Sequence, residues 1–108
     1  MAADLTGKTC IVTGASRGIG RGCAVALGSA DCRVAVNYHE RADEAAETRR
    51  RIEEAGGEAF IVQADASDAG DVGRLVDETR ERFGPVSILI NNAGIAITKP
   101  IDELTEAD

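Results

Sequence analysis

Short runs of consecutive apolar residues alternate along this chain with longer stretches in which apolar positions recur every three or four residues. Thr9–Thr13, Arg33–Asn37, Ala59–Gln63 and Ser87–Asn91 are of the first kind, rich in Val and Ile, as strands buried on both faces are. Between them, Ile19–Ala30, Arg41–Ala55 and Asp68–Phe83 read as helices. In the first of these helices Ile19, Cys23, Ala26 and Leu27 recur at helical spacing. In the third, Val72, Leu75, Val76, Thr79 and Phe83 form an apolar stripe. Gly56-Gly57 supplies the stop after the second. Strand and helix alternate throughout, with no repeat, linker or low-complexity segment. The pattern predicts an α/β fold in which a parallel sheet is joined by right-handed crossovers.

Composition sharpens this picture. At 108 residues the chain suits one domain. With 44% hydrophobic but only 3% aromatic residues, the core must be built of Ile, Val, Leu and Ala, which favours α/β over a β-sandwich. Twelve basic against 19 acidic residues give a net charge of −7. The basic positions form no stripe, which argues against nucleic acid or an anionic membrane as partner. Arg49-Arg50-Arg51 is the one basic run, and Glu44, Glu47, Glu53 and Glu54 flank it at the spacing of ion pairs on a solvated helix face. Cys10, Cys23 and Cys32 are odd in number, lack C-x-x-C spacing and read as small core hydrophobes of a reducing compartment. Met1-Ala2-Ala3-Asp4 lacks the basic start and apolar stretch of a signal peptide, and no run approaches the roughly 18 apolar residues of a membrane span. The expectation is a cytoplasmic protein.

The candidate chemistry begins at Thr13-Gly14-Ala15-Ser16-Arg17-Gly18-Ile19-Gly20, where an apolar strand turns into an amphipathic helix through three glycines. Such a turn aims backbone N–H groups and the positive end of a helix dipole at one point, and glycine lets a phosphate approach closely. Gly14-x-x-x-Gly18-x-Gly20 is not a P-loop, because no Gly-Lys-Ser/Thr follows. It is not the G-x-G-x-x-G fingerprint either, because Cys23 takes the place of the third glycine. Alone, the turn is equally readable as a glycine-rich connection that packs and binds nothing. Asn91-Asn92-Ala93-Gly94, ending the run Val86-Ser87-Ile88-Leu89-Ile90, breaks the tie.

With both motifs in this order, the chain resembles the short-chain dehydrogenase/reductase (SDR) family, most closely its 3-oxoacyl-(acyl-carrier-protein) reductase-like branch. Gly7-Lys8, Val36-Asn37-Tyr38, Asp65-Ala66-Ser67 and Phe83-Gly84-Pro85-Val86 extend the resemblance over essentially the whole chain. It implies a Rossmann-type doubly wound sheet of order 3-2-1-4 and an oxidoreductase that moves hydride between a nicotinamide and a carbonyl or alcohol. It also implies a small-molecule substrate and a homo-oligomer when complete. Gly14, Ala15, Ser16, Arg17, Gly18, Ile19 and Gly20 would surround the pyrophosphate and nearby ribose. Asp65, with Ala66 beside it, would meet the adenine amino group. Asn92, Ala93 and Gly94 would line the ribose. Asp65 has a second reading as a carboxylate that caps its own loop.

Cofactor choice falls at the end of the second strand, where an acid would grip the 2′-hydroxyl of NAD. Asn37 and Tyr38 are neutral there, the first acid is Glu40, and Arg17 offers a fork for a phosphate. NADP is favoured over NAD, and His39 reads as a solvated loop residue. Three positions depart from the family pattern: Asp31 where a glycine commonly ends the first helix, and Gly70 and Gly73 within the third. The tyrosine and lysine four residues apart that family members use as proton donor and pKa-lowering partner have no counterpart. The single tyrosine, Tyr38, precedes Ala42 at that spacing, and the lysines are Lys8 and Lys99.

Thr105-Glu106-Ala107-Asp108 carries a helix-start signature, after which the sequence stops. The expectation is therefore one NAD(P)-binding Rossmann domain over residues 1–108, incomplete at its C-terminus and ending the sheet at a fourth strand with an open edge. It would be the cofactor-binding half of an NADP-dependent reductase, without catalytic residues or metal. The alternative is a non-catalytic dinucleotide-binding or interaction module.

Overall fold

Each apolar run forms a strand and each amphipathic stretch a helix. The structure is a computed structural model and describes residues 5–92 and 96–97. The elements are β1 (Thr9–Thr13), α1 (Gly18–Ser29), β2 (Arg33–Tyr38), α2 (Ala42–Glu54), β3 (Glu58–Gln63), α3 (Ala69–Phe83), β4 (Ile88–Asn91) and β5 (Ala96–Ile97). The sheet runs β3-β2-β1-β4-β5, so the expected 3-2-1-4 order holds. Its first three pairings are parallel, with Ile11 of β1 opposite both Ala35 of β2 and Leu89 of β4. The parallel pairing brings the carboxyl ends of β1, β2, β3 and β4 to one end of the sheet, the end at which a doubly wound fold takes its ligands.

One expectation is corrected at the outer edge. β5 returns antiparallel to β4, with Leu89 opposite Ile97 and Ile90 opposite Ala96, so β4 has a partner over these two residues and its edge there is not open. A two-residue return carries no periodic signal from which it could have been read. The helix-start signature at Thr105–Asp108 lies outside the described residues.

Strand side chains alternate between two cores, as a pleated strand requires. Cys10, Val12, Val34 and Val36 face one side with Ala24 of α1 and Ala45 and Ile52 of α2. Ile11, Ala35, Phe60 and Val62 face the other with Leu75 of α3. The stripe expected on α3 is realised: Leu75 and Thr79 are buried, and Val76 and Phe83 pack on the second core. Phe83 meets Phe60 edge to face at 5.3 Å between ring centroids, and Arg82 lies over the Phe60 ring.

The stripe expected on α1 holds in part: Cys23 and Leu27 pack against the first core, while Ile19 and Ala26 are exposed. Its buried face is Gly20, Ala24 and Gly28, whereas Ile19 is 79% exposed. The cause is close approach to the α1 backbone. A Cβ at Gly28 would lie 2.6 Å from Cγ2 of Ile52, so the Ile52 side chain of α2 seats directly on the backbone of α1, which hydrophobic periodicity does not register.

Cys10 and Cys32 are fully buried and all three cysteines are free thiols. Burial pushes the Cys10 thiol far up from its ordinary value, with neighbouring Cys32 adding to the shift, which keeps it a neutral core group. On the outer face of α2 the basic run is absorbed as expected: Arg49 pairs with Glu53, Arg50 with Glu47 and Glu54, and Arg51 with Glu47. Hydrogen bonds from Arg50 and Arg51 hold the Glu47 carboxyl down at about 2. Among the described residues no helix is long and apolar enough to cross a membrane.

The ends of α1 and α2 share one geometry. In α2 the amides of Gly56 and Gly57 return to the carbonyls of Glu53 and Ile52, and Gly56 takes φ 95°. In α1 the amides of Asp31 and Cys32 return to Gly28 and Leu27, and Asp31 takes φ 66°. Both are Schellman ends that place the residue after the cap in the left-handed region. The departure noted at Asp31 is thus a side chain held where glycine is favoured.

Candidate functional site

The chain leaves β1 at Thr13 and crosses a turn in which Gly14 (φ 59°) and Gly18 (φ 63°) both lie in the left-handed region. Gly18 has open space around it: a Cβ built there would meet nothing within 4 Å among the described residues. Gly20 is the opposite case. A Cβ there would lie 2.2 Å from the Gly14 carbonyl oxygen, so the first turn of α1 rests directly on the backbone of the glycine turn. The three glycines therefore serve three needs, turn geometry at Gly14, turn geometry beside free space at Gly18, and close contact at Gly20.

Distant residues hold this turn. Asn37, 2% exposed at the end of β2, accepts from the Gly14 amide at 3.3 Å with its Oδ1 and from the Ala15 amide at 2.9 Å with its carbonyl. Its Nδ2 donates to the carbonyl of Ala64 at 3.1 Å. Asn37 thereby ties the glycine turn to the end of β3. From β4, the Asn92 amide donates to Thr13 Oγ1 at 3.1 Å and its side-chain Nδ2 to the Gly14 carbonyl at 3.2 Å. From α2, the buried Thr48 hydroxyl lies 2.9 Å from the Ala15 carbonyl, and Arg21 donates to the Ser16 carbonyl. Thr48 and Arg21 carry no motif signal and were not legible as part of this site.

The positive end of α1 is bare. Among the described residues no side chain caps it, and its first turn holds no acid. The other two helices are compensated: Asp43 and Glu44 lie in the first turn of α2, and the Asp68 side chain caps α3 by accepting from the Asp71 amide. The first amides of a helix have no intrahelical partner, so those of Gly18, Ile19 and Gly20 are free to bind an anion. Arg17 and Ile19 are exposed beside them. Among the described residues the Arg17 side chain has no hydrogen bond or ion pair.

At the end of β3, Asp65 is held locally. Its Oδ1 accepts from the Ser67 amide at 2.9 Å and the Ser67 hydroxyl at 2.6 Å, and its own amide donates to Asp71. The Ser67 hydroxyl, then the Ser67 amide, lower the Asp65 carboxyl from its ordinary value, with His39 adding a smaller pull. The loop-capping role is thus present in the geometry. Ala66 is exposed beside it, Tyr38 is half-buried against the first core, and His39 and Glu40 are exposed. Gly14, Ala15, Ser16, Arg17, Gly18, Ile19, Gly20, Asn37, Tyr38, Asp65, Ala66 and Asn92 all lie at or beside the carboxyl ends of the strands. Ala93 and Gly94 lie outside the described residues.

Residues 8–108 match the short chain dehydrogenase family, and the chain belongs to it. A 3β-hydroxysteroid dehydrogenase 1 of Eggerthella lenta is 46% identical over 99 residues, which are 92% of this chain and 38% of that protein. A hydroxynaphthalene reductase-like protein of Metarhizium guizhouense is 40% identical over 97% of this chain and 39% of its own length. The chain thus spans about two fifths of the length of these relatives. Among solved structures, a short chain dehydrogenase from Burkholderia cenocepacia in complex with NADP superposes with a TM-score of 0.79 at 40% identity, covering 98% of this chain and 43% of that one. The landomycin C-6 ketoreductase LanV with bound NADP and rabelomycin gives 0.75 at 45% identity, over 97% of this chain and 45% of that one.

Proposed function

We propose that residues 1–108 are the dinucleotide-binding portion of an NADP-dependent short-chain oxidoreductase that reduces a carbonyl, of 3-oxoacyl or similar type, or oxidises the matching alcohol. The observation that carries this reading is the bare start of α1, facing a glycine turn with open space at Gly18, while the other helix starts are charge-compensated. A diphosphate supplies the missing negative charge and accepts from the free amides. The NADP complexes of two structural relatives support the same class of ligand.

The role of each residue follows from its surroundings. The amides of Gly18, Ile19 and Gly20 bind the pyrophosphate. Asn37 and Asn92 hold the turn that presents them. Arg17, unpaired among the described residues, forks onto the 2′-phosphate, and no acid at Asn37 or Tyr38 opposes that charge. Asp65, fixed by Ser67, offers its carboxylate beside Ala66 to the adenine. The bound dinucleotide would supply hydride chemistry. The tyrosine–lysine pair implied for proton transfer is not among these 108 residues. This chain is therefore assigned capture and orientation of the cofactor, and no proton transfer.

Titration of NADPH fluorescence tests the reading. Gly18→Val forces a β-branched side chain into the left-handed region beside the free amides and is expected to weaken NADPH by about tenfold or more. Equal affinity in two chains with the same circular dichroism spectrum would overturn the cradle. Arg17→Ala is expected to weaken NADPH about fivefold more than NADH. An equal loss for both would confine Arg17 to the shared pyrophosphate.

A further inference from the structure

The glycine turn is gripped from behind by a pair of side chains that no phosphate-binding motif contains. Thr48 lies in the middle of α2, with no exposed surface. Its hydroxyl accepts from Arg21 Nε at 2.9 Å and lies 2.9 Å from the Ala15 carbonyl and 3.1 Å from that of Ser16. Arg21 donates through Nη2 to the same Ser16 carbonyl at 2.6 Å and to the Glu44 carbonyl at 3.0 Å. With Arg21 filling an acceptor site on Thr48, the single hydroxyl proton is left for a carbonyl, and of the three in reach those of Ala15 and Ser16 in the turn are nearer than that of Glu44 at 3.3 Å.

We infer that Thr48, supported by Arg21, is a positioning residue for the dinucleotide, an assignment that rests on the cofactor reading above. A trans peptide is planar, and its C=O and N–H point in opposite directions. Drawing the Ala15 and Ser16 carbonyls toward α2 turns the Ser16 and Arg17 amides away from it. The same grip sets where the backbone of Arg17 lies, and hence where its free side chain starts. α2 thus enters the cofactor site without touching the cofactor. Its contribution is the preset direction of two peptide groups that would otherwise reorient when an anion arrives.

Thr48→Val keeps the shape and removes the hydroxyl, and Thr48→Ser restores it. Amide hydrogen exchange on the chain without cofactor is expected to speed up about tenfold at the hydrogen-bonded amides that bracket the turn, Gly14, Ala15 and Arg21, in Thr48→Val, with α3 and β3 unchanged, and to return to wild type in Thr48→Ser. Ile52→Val, a cavity on the same helix away from the turn, is expected to leave exchange at Gly14, Ala15 and Arg21 no faster than in the rest of the chain, which separates positioning from general loss of stability. NADPH affinity is expected to fall about fivefold in Thr48→Val and to recover in Thr48→Ser. If Thr48→Val does not fold, Arg21→Met, at a partly exposed side chain, removes the Ser16 grip and is expected to give the same local loosening. Unchanged exchange at Gly14, Ala15 and Arg21 in the folded variant overturns the inference whatever binds. A wild-type chain that does not bind NADPH overturns the cofactor reading and the role of Thr48 toward it, while loosening of the turn still establishes the grip itself.

Discussion

The turn after β1 and the turn after β3 stand at the same end of one sheet and are held in opposite ways. The Asp65 turn is closed by its own neighbours, Ser67 two residues on and Asp71 six residues on. The glycine turn is closed from afar, by Asn37 at a separation of 23 residues, Thr48 at 33 and Asn92 at 78. A locally closed turn keeps its shape when the rest of the fold loosens. A turn closed by three separate elements keeps its shape only while β2, α2 and β4 are all in place. This difference matters for binding, because the distant contacts consume the carbonyls of the glycine turn and the amides of Gly14 and Ala15, and leave the amides at the start of α1 free.

The contrast is most severely broken at Gly20, where an added Cβ would fall 2.2 Å from the Gly14 carbonyl oxygen, a backbone atom with no room to yield. Gly20→Ala is expected to destabilise the chain by about 3 kcal/mol and to remove NADPH binding. Urea unfolding followed by circular dichroism measures the first, and a midpoint within error of wild type would show that α1 does not rest on the turn.

Asn37→Ala is next in size. It strips Oδ1 from the Gly14 amide and Nδ2 from the buried Ala64 carbonyl, and is expected to cost about 2 kcal/mol. Its signature is a simultaneous loosening of the glycine turn and the end of β3 in hydrogen exchange. Loosening of only one would uncouple the two turns that Asn37 joins.

Asp31→Gly sharpens the comparison from the stabilising side. The end of α1 is closed by contacts as local as those of Asp65, but it holds a non-glycine residue at φ 66°. Glycine there is expected to raise stability by about 1 kcal/mol without altering NADPH affinity. A change in affinity would show that the two ends of α1 are not independent.

The smallest effect is expected from Ser67→Ala, which leaves the glycine turn untouched and releases the Asp65 carboxyl toward its ordinary value. The shift is downward in the folded chain. Whatever the pairing contributes is therefore fully present above the unfolded carboxyl pKa and is lost as pH falls through the folded one. Carboxyl NMR titration reads this directly: the Asp65 midpoint rises in Ser67→Ala. An unmoved midpoint would contradict the hydrogen bonds seen between the two residues.

Much of this molecule was legible before its structure, and the legible parts share a physical character. The alternation of buried strands with amphipathic helices fixes which segments pair, because parallel strands joined by right-handed crossovers leave few arrangements open. The local self-closure of Asp65-Ala66-Ser67, the ion pairs around Arg49-Arg50-Arg51 and the stop at Gly56-Gly57 all lie within a few residues of themselves, where spacing is geometry. Gly14, Gly18 and Gly20 were legible as a group because glycine marks backbone constraint.

The separate tasks of those glycines were decided only in three dimensions, since φ and close approach are properties of the folded backbone. So was the buried face of α1, which Gly20, Ala24 and Gly28 form by letting neighbours seat on its backbone, while the apolar Ile19 stands in the open. The short return of β5 onto β4 was decided there too. Most of all, the grip of Thr48 and Arg21 on the glycine turn belongs to tertiary structure alone. A threonine among charged helical residues has no local signature, and only the packing of α2 against α1 brings its hydroxyl to the Ala15 carbonyl.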